Sequence, residues 1–279
     1  MVWAAGVTTD HEPGVSRPSY AALTQAFRGL RRSIGLQVRE VPCSESERTL
    51  WFGALGDSSA PSVALSAGVH GDEPAGPWAV LSVLESGLLD PRFAYHVWPC
   101  TNPSGYILGT RCNAEGRDIN RSFSGGGSTP EARAVLATNG SRRFALSIDV
   151  HEDHEAQGFY CYVAGPQADA LGGAITRAIV EEGFPLQDLT GFNFGEPGEL
   201  NPHRRCFDGI VVMDGAEHQY FDGLSLNLRM IRSSAADRVV TLEAPRELPW
   251  EERIAIHRIA VVAALDHLAT ALWGTANGR

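Results

Sequence analysis

Three apolar, strand-length runs each lead into a side chain that can do chemistry: residues 62–69 into His70, 144–150 into His151, and 238–242 into Glu243. Helix-like apolar runs alternate with the strand-like ones along the chain, which predicts an α/β protein. The first site lies where a strand gives way to a helix. Gly68 and Gly71 on either side of His70 suit a tight turn, and the apolar residues from Trp78 to Leu84 read as the helix that follows. In open α/β sheets, the carboxyl ends of strands are where ligands bind.

The remaining pattern adds helices over 19–30, 169–182 and 249–273, and strands over 93–100, 159–163 and 209–213, with a turn at 101–105. No Pro/Ser-rich or charged low-complexity stretch divides the 279 residues, so a single domain over 18–279 is expected after an irregular segment, 1–17.

Charge narrows the function. A net charge of -10 with a pI near 5.4 argues against a nucleic-acid partner, and Arg31-Arg32 or Arg204-Arg205 are too few to reverse that. The first residues lack a basic start followed by a long apolar core, and the longest apolar run, near 259–265, is short for a bilayer. The expectation is a cytoplasmic protein with no membrane partner. Five cysteines without a CxxC pair read as reduced thiols.

His70 and Glu73, with two residues between them, can approach one ion from a turn and the start of a helix, although that spacing alone also suits an ordinary surface turn. A distant His151 would complete three protein ligands. Catalytic zinc commonly has three such ligands and an open fourth position.

The motifs together carry a resemblance. His70-Gly-Asp-Glu73, Asn102-Pro-Ser-Gly-Tyr106, Arg111 with Asp118-Ile-Asn120-Arg121 and Phe123, Asp149-Val-His151-Glu152, and Thr241-Leu-Glu243-Ala-Pro245 occur in that order over about residues 60–250. The chain resembles the zinc metallocarboxypeptidase superfamily, which also contains succinylglutamate desuccinylase and aspartoacylase-like deacylases. The resemblance implies a three-layer α/β/α domain with a mixed, largely parallel central sheet, similar to the zinc exopeptidase fold. It also implies one Zn2+ per chain, held by His70, Glu73 and His151.

Glu243 then looks like the general base and acid, and Arg111 the residue that stabilises the oxyanion. Asn120 and Arg121 would bind the substrate's free carboxylate, and Asp118 would orient His70 from behind. Tyr220 sits roughly where the family carries a mobile tyrosine that closes over substrate, though packing or a surface hydroxyl also explains it. His154 is read as a solvated residue, with a place at the rim or behind the ligands as the lesser alternative. Arg229 and Arg232 suit either a pocket for an acidic side chain or a solvated helix face.

The leading reading is a metallocarboxypeptidase acting on short peptides with a free C-terminal carboxylate. An N-acyl amino acid deacylase shares the same chemistry and stands as the alternative. A catalytically silent metal- or partner-binding protein is the third, opposed by the presence of Glu243 and Arg111. The short path from Glu73 to His151, compared with the larger digestive carboxypeptidases, disfavours protein-sized substrates.

Overall fold

Among the described residues, nine strands form one mixed sheet in the order β1-β2-β4-β3-β5-β9-β6-β8-β7. The strands are β1 (Gln37–Pro42), β2 (Thr49–Leu55), β3 (Ser62–Ala67), β4 (Ala94–Trp98), β5 (Phe144–Asp153), β6 (Tyr160–Ala164), β7 (Arg205–Phe207), β8 (Ile210–Val212) and β9 (Val239–Pro245). The computed structural model describes residues 18–43, 49–191, 205–213 and 223–274. The expected irregular segment 1–17, together with Arg204 and Tyr220, lies outside the described residues.

The centre of the sheet, β4-β3-β5-β9, is parallel, whereas β2 joins β4 and β6 joins β9 in antiparallel pairs. Every residue of β4 is buried, as are all but the first of β3, which is why these segments read as continuous apolar runs rather than alternating ones.

Helices complete the layers. On one face lie α1 (Tyr20–Ser33), α2 (Ala75–Glu85), α5 (Ala168–Glu181) and α7 (Trp250–Trp273), packed over Val63, Leu65, Ile148 and Val150. The other face carries α4 (Pro130–Asn139) and α6 (Leu226–Arg232), with Ala64, Ile119, Phe123 and Phe144 beneath them. A short α3 (Pro103–Leu108) and a 3-10 turn (Ile119–Arg121) link β4 to α4. This is the expected three-layer α/β/α arrangement.

Local chemistry explains the helix starts. Ser19 caps α1, its Oγ accepting the Ala22 N–H at 3.2 Å, and Leu23, Phe27 and Leu30 bury one stripe. By length and a mean hydropathy of 1.4, α7 could span a membrane, which the short run at 259–265 did not suggest. Its buried stripe, from Arg253 and Ile256 through Ala260 and Ala264 to Leu268, instead packs on α2 and α5.

Two local differences from the sequence reading matter. The expected turn at 101–105 begins α3, because Asn102 caps that helix and Pro103 occupies its first position. The strands carrying His151 and Glu243 run on to Asp153 and Pro245, so both residues lie inside strands rather than just beyond them. Continued parallel pairing of β5 with β9, through His151↔Glu243 to Asp153↔Pro245, accounts for the extension.

Candidate active site

Strand geometry assembles the floor of the site. Alternate residues of a strand share a face, and register partners on adjacent strands point the same way. Asp149, His151 and Asp153 of β5 therefore share a face with their β9 partners Thr241 and Glu243. Across the antiparallel β9–β6 pair, Tyr160 faces Glu243 and Tyr162 faces Thr241. All of these but Asp149 line one cleft of about 540 Å³ at the carboxyl ends of the parallel strands.

The His70 turn supplies the adjoining wall. Gly71 passes so close to α3 that a Cβ would lie 1.8 Å from the Gly105 carbonyl carbon, so only glycine fits there. Asn102 locks this packing: its Oδ1 accepts the Gly105 N–H at 2.9 Å, and its Nδ2 donates to the carbonyls of Val69 (3.2 Å) and Arg111 (3.1 Å). The Asn-Pro-Ser-Gly turn thus ties the backbone before His70 to the backbone at Arg111.

His70, Glu73 and His151 come together as expected, with one ligand atom from each lying within 4.8 Å of the others. All three are buried. His70 Nδ1 lies 2.5 Å from Glu73 Oε1, and His151 Nδ1 lies 2.9 Å from Glu73 Oε2. Each imidazole turns its other nitrogen to a carboxylate, His70 Nε2 to Asp118 Oδ1 at 3.4 Å and His151 Nε2 to Asp149 Oδ2 at 3.1 Å. Two convergent imidazoles and a carboxylate, with each imidazole backed by an aspartate, form a donor set that fits a divalent cation.

Electrostatics agree with that assignment. Burial works to raise the Glu73 carboxyl, but the two histidines outweigh it and hold the group well below the usual carboxylate range. Burial likewise opposes charge on His151, and Glu73 with Asp149 overcomes it, raising the imidazole well above its ordinary value. A cation entering here takes the place of that proton. Glu243 moves the other way: burial pushes its carboxyl well above the ordinary range, against the lowering pull of His151. A carboxyl raised in this way accepts a proton more readily than an ordinary one.

Arg111 sits at the mouth, its Nε donating to Asp118 Oδ2 at 3.1 Å and its Nη1 3.2 Å from His70 Nδ1. Asn120 and Arg121 line the same cleft from the 3-10 turn, which Asp118 caps by accepting the Asn120 N–H at 2.8 Å. Asn120 is held by the Leu226 N–H, which donates to its Oδ1 at 3.2 Å. Gly223 crosses Arg121 closely, since a Cβ would lie 1.9 Å from the Arg121 carbonyl oxygen. His154 is exposed, with its side chain at the edge of the cleft. Arg229 and Arg232 lie on α6 but do not line the cleft.

The sequence reading quoted Asp149 in a motif without giving it a role, and did not single out Arg246 or Tyr160. Asp149, two positions before His151, could have been found by strand parity alone. Arg246 lines the cleft and pairs with Asp72 at 3.0 Å, and Tyr160 donates to Asp153 Oδ2 at 2.6 Å. Their place in the site depends on strand pairing, for which the sequence carries no local signal.

Comparisons with known proteins bear on the family and the fold. The family model of the succinylglutamate desuccinylase/aspartoacylase catalytic domain matches residues 59–182. Murein peptide amidase A of Escherichia coli (strain K12) is 40% identical over 75 residues, 26% of this chain and 30% of the length of that relative. A solved structure from Shewanella denitrificans OS217 aligns with a TM-score of 0.71 at 22% identity, covering 96% of this chain and 99% of that one. The metallo-carboxypeptidase of Burkholderia cenocepacia aligns with a TM-score of 0.66 at 18% identity over 95% of this chain and 77% of its own. For carboxypeptidase A of Helicoverpa armigera the values are 0.65, 16%, 92% and 75%. At these identities the structural likeness speaks for the fold.

Proposed function

We propose that this chain is a zinc-dependent hydrolase of the metallocarboxypeptidase-like kind, acting on the amide bond next to a free carboxylate in short peptides. The observation that carries this reading is the gathering of the His70–Glu73–His151 donors, Glu243, Arg111 and the Asn120–Arg121 pair around one cleft. A volume of about 540 Å³ lies within the range of small-ligand sites.

His70, Glu73 and His151 would hold the zinc. A zinc ion supplies Lewis acidity there, polarising the scissile carbonyl and making water more acidic. Glu243, on the same sheet face as His151, accepts the proton of the attacking water on its carboxylate and passes it to the leaving amine nitrogen. Arg111, fixed by Asp118, directs its guanidinium at the oxygen on which charge develops. Arg121, with Asn120, holds the substrate's terminal carboxylate by charge-assisted hydrogen bonds.

Deacylation of N-acyl amino acids is the second reading, favoured by the family model over residues 59–182. The likeness to murein peptide amidase A adds murein peptides to the substrates to be tested. Purified protein should hold about one zinc per chain. The zinc-loaded protein is assayed against short and murein peptides with free or amidated C-termini, and against N-acyl amino acids. Cleavage that requires the free terminus supports the peptidase reading, whereas activity confined to acyl amino acids replaces it with the second. Glu243→Gln should keep the metal and lose hydrolysis by about 10²–10⁴-fold, the usual contribution of a general acid–base. Full activity in that variant refutes the mechanism.

A further inference from the structure

Glu152 stands on β5 beside His151 but points to the opposite sheet face. There it is buried and makes three connections. Its backbone N–H donates to Glu73 Oε2 at 3.2 Å. Its Oε2 accepts the Ala75 N–H at 2.8 Å, and its Oε1 accepts Arg253 Nη1 of α7 at 2.7 Å. Both members of the Glu152–Arg253 pair are buried, with side chains 0% and 6% exposed.

The middle contact gives the pair its purpose. Helix α2 begins directly after Glu73, and its N-cap residue, Pro74, provides no side-chain cap. An uncapped helix start leaves N–H groups without partners, and a carboxylate there is favoured by the helix dipole. Glu152 fills that place from another element, so one residue holds the start of α2, touches Glu73, and adjoins His151. Arg253, braced across the Trp250 ring at 5.2 Å, fixes the carboxylate from behind.

We propose that Glu152 and Arg253 are positioning residues that set the spacing between Glu73 and His151, and through it the affinity for the metal. The inference rests on the metal-site reading above. A purely structural ion pair would behave differently: replacing both charges with apolar groups of similar size is often neutral or stabilising for the fold.

The test measures metal affinity by chelator competition and metal-free thermal stability in wild type, Glu152→Gln and the double variant Glu152→Leu/Arg253→Met. In Glu152→Gln the amide must turn its NH2 toward either Ala75 N–H or Arg253, both donors, and so loses one contact. Both variants are expected to bind zinc 10–100-fold more weakly, as variants of outer-shell partners do, while the double variant still folds, its metal-free Tm lowered only by the loss of the acceptor for the Ala75 N–H. A folded double variant with wild-type affinity overturns the proposal. Should that variant not fold, wild-type affinity in Glu152→Gln overturns it instead. Wild-type protein that takes up no zinc overturns the metal-site reading, and this inference with it.

Discussion

Asn102→Asp separates the two jobs of one buried side chain. The substitution keeps the Oδ1 that accepts the Gly105 N–H, so the cap of α3 survives. It replaces the Nδ2 that donates to the Val69 and Arg111 carbonyls with an oxygen that cannot donate when ionised. Two carbonyls then lose their donor where Asn102 is fully buried. Each such loss costs about 1–3 kcal/mol, so the variant should be less stable by roughly 2–6 kcal/mol at pH 7.

The new carboxyl, facing acceptors, has a folded-state pKa above its unfolded value of about 3.9. The folded variant therefore binds more protons than the unfolded one, and the deficit is smallest at acid pH and grows as pH rises through the folded pKa. Urea unfolding of variant and wild type, compared from pH 4 to pH 7, measures both effects. Metal affinity should fall in parallel, because Val69 directly precedes His70. An unfolding midpoint equal to wild type at pH 7, or a deficit that widens on acidification, would refute the reasoning.

Other perturbations follow from the same geometry. Asp149→Asn removes the carboxylate 3.1 Å from His151 Nε2 and should weaken zinc binding by about 10–100-fold, read by chelator competition. Gly71→Ala forces a Cβ against the Gly105 backbone; it should cost about 1–3 kcal/mol or more of unfolding free energy, with loss of metal retention. Burial pushes the His96 imidazole down to about 4, with Arg142 adding to the shift. Protonation thus favours the unfolded chain, and stability should fall by up to about 3 kcal/mol as pH drops from 6.5 towards 4, with no contribution above 6.5. His96→Phe, set between Phe52 and Phe144, should flatten that part of the denaturation profile, and an unchanged slope would count against the assignment.

Much of the architecture was legible because its elements bury continuous apolar faces. The strand expected over 62–69 is β3, the helix over 19–30 is the core of α1, and that over 249–273 is α7. Strands β1, at one edge of the sheet, and β2 beside it were missed; β1 alternates exposed and buried positions too weakly to stand out. Helix α4 escaped for a related reason, being short and of mixed polarity, with Glu131 and Asn139 among its buried residues. α3 was taken for a turn because Asn-Pro-Ser-Gly suits both a turn and a capped helix start. The helical backbone bond from the Tyr106 N–H to the Asn102 carbonyl, at 2.9 Å, distinguishes them.

For the site, the amino-acid sequence by itself determined which side chains were available and that His70, His151 and Glu243 belong at the carboxyl ends of apolar strands. Chemical type and local periodicity are properties of a short stretch of chain. The tertiary structure decided the rest: that His151 and Glu243 are register partners, that Asp149 backs one imidazole, and that Glu152 turns away to join α2 and Arg253. These depend on which distant strands pair and in what register. A one-residue shift would send every side chain to the other face, and that choice is made by the packing of the whole core.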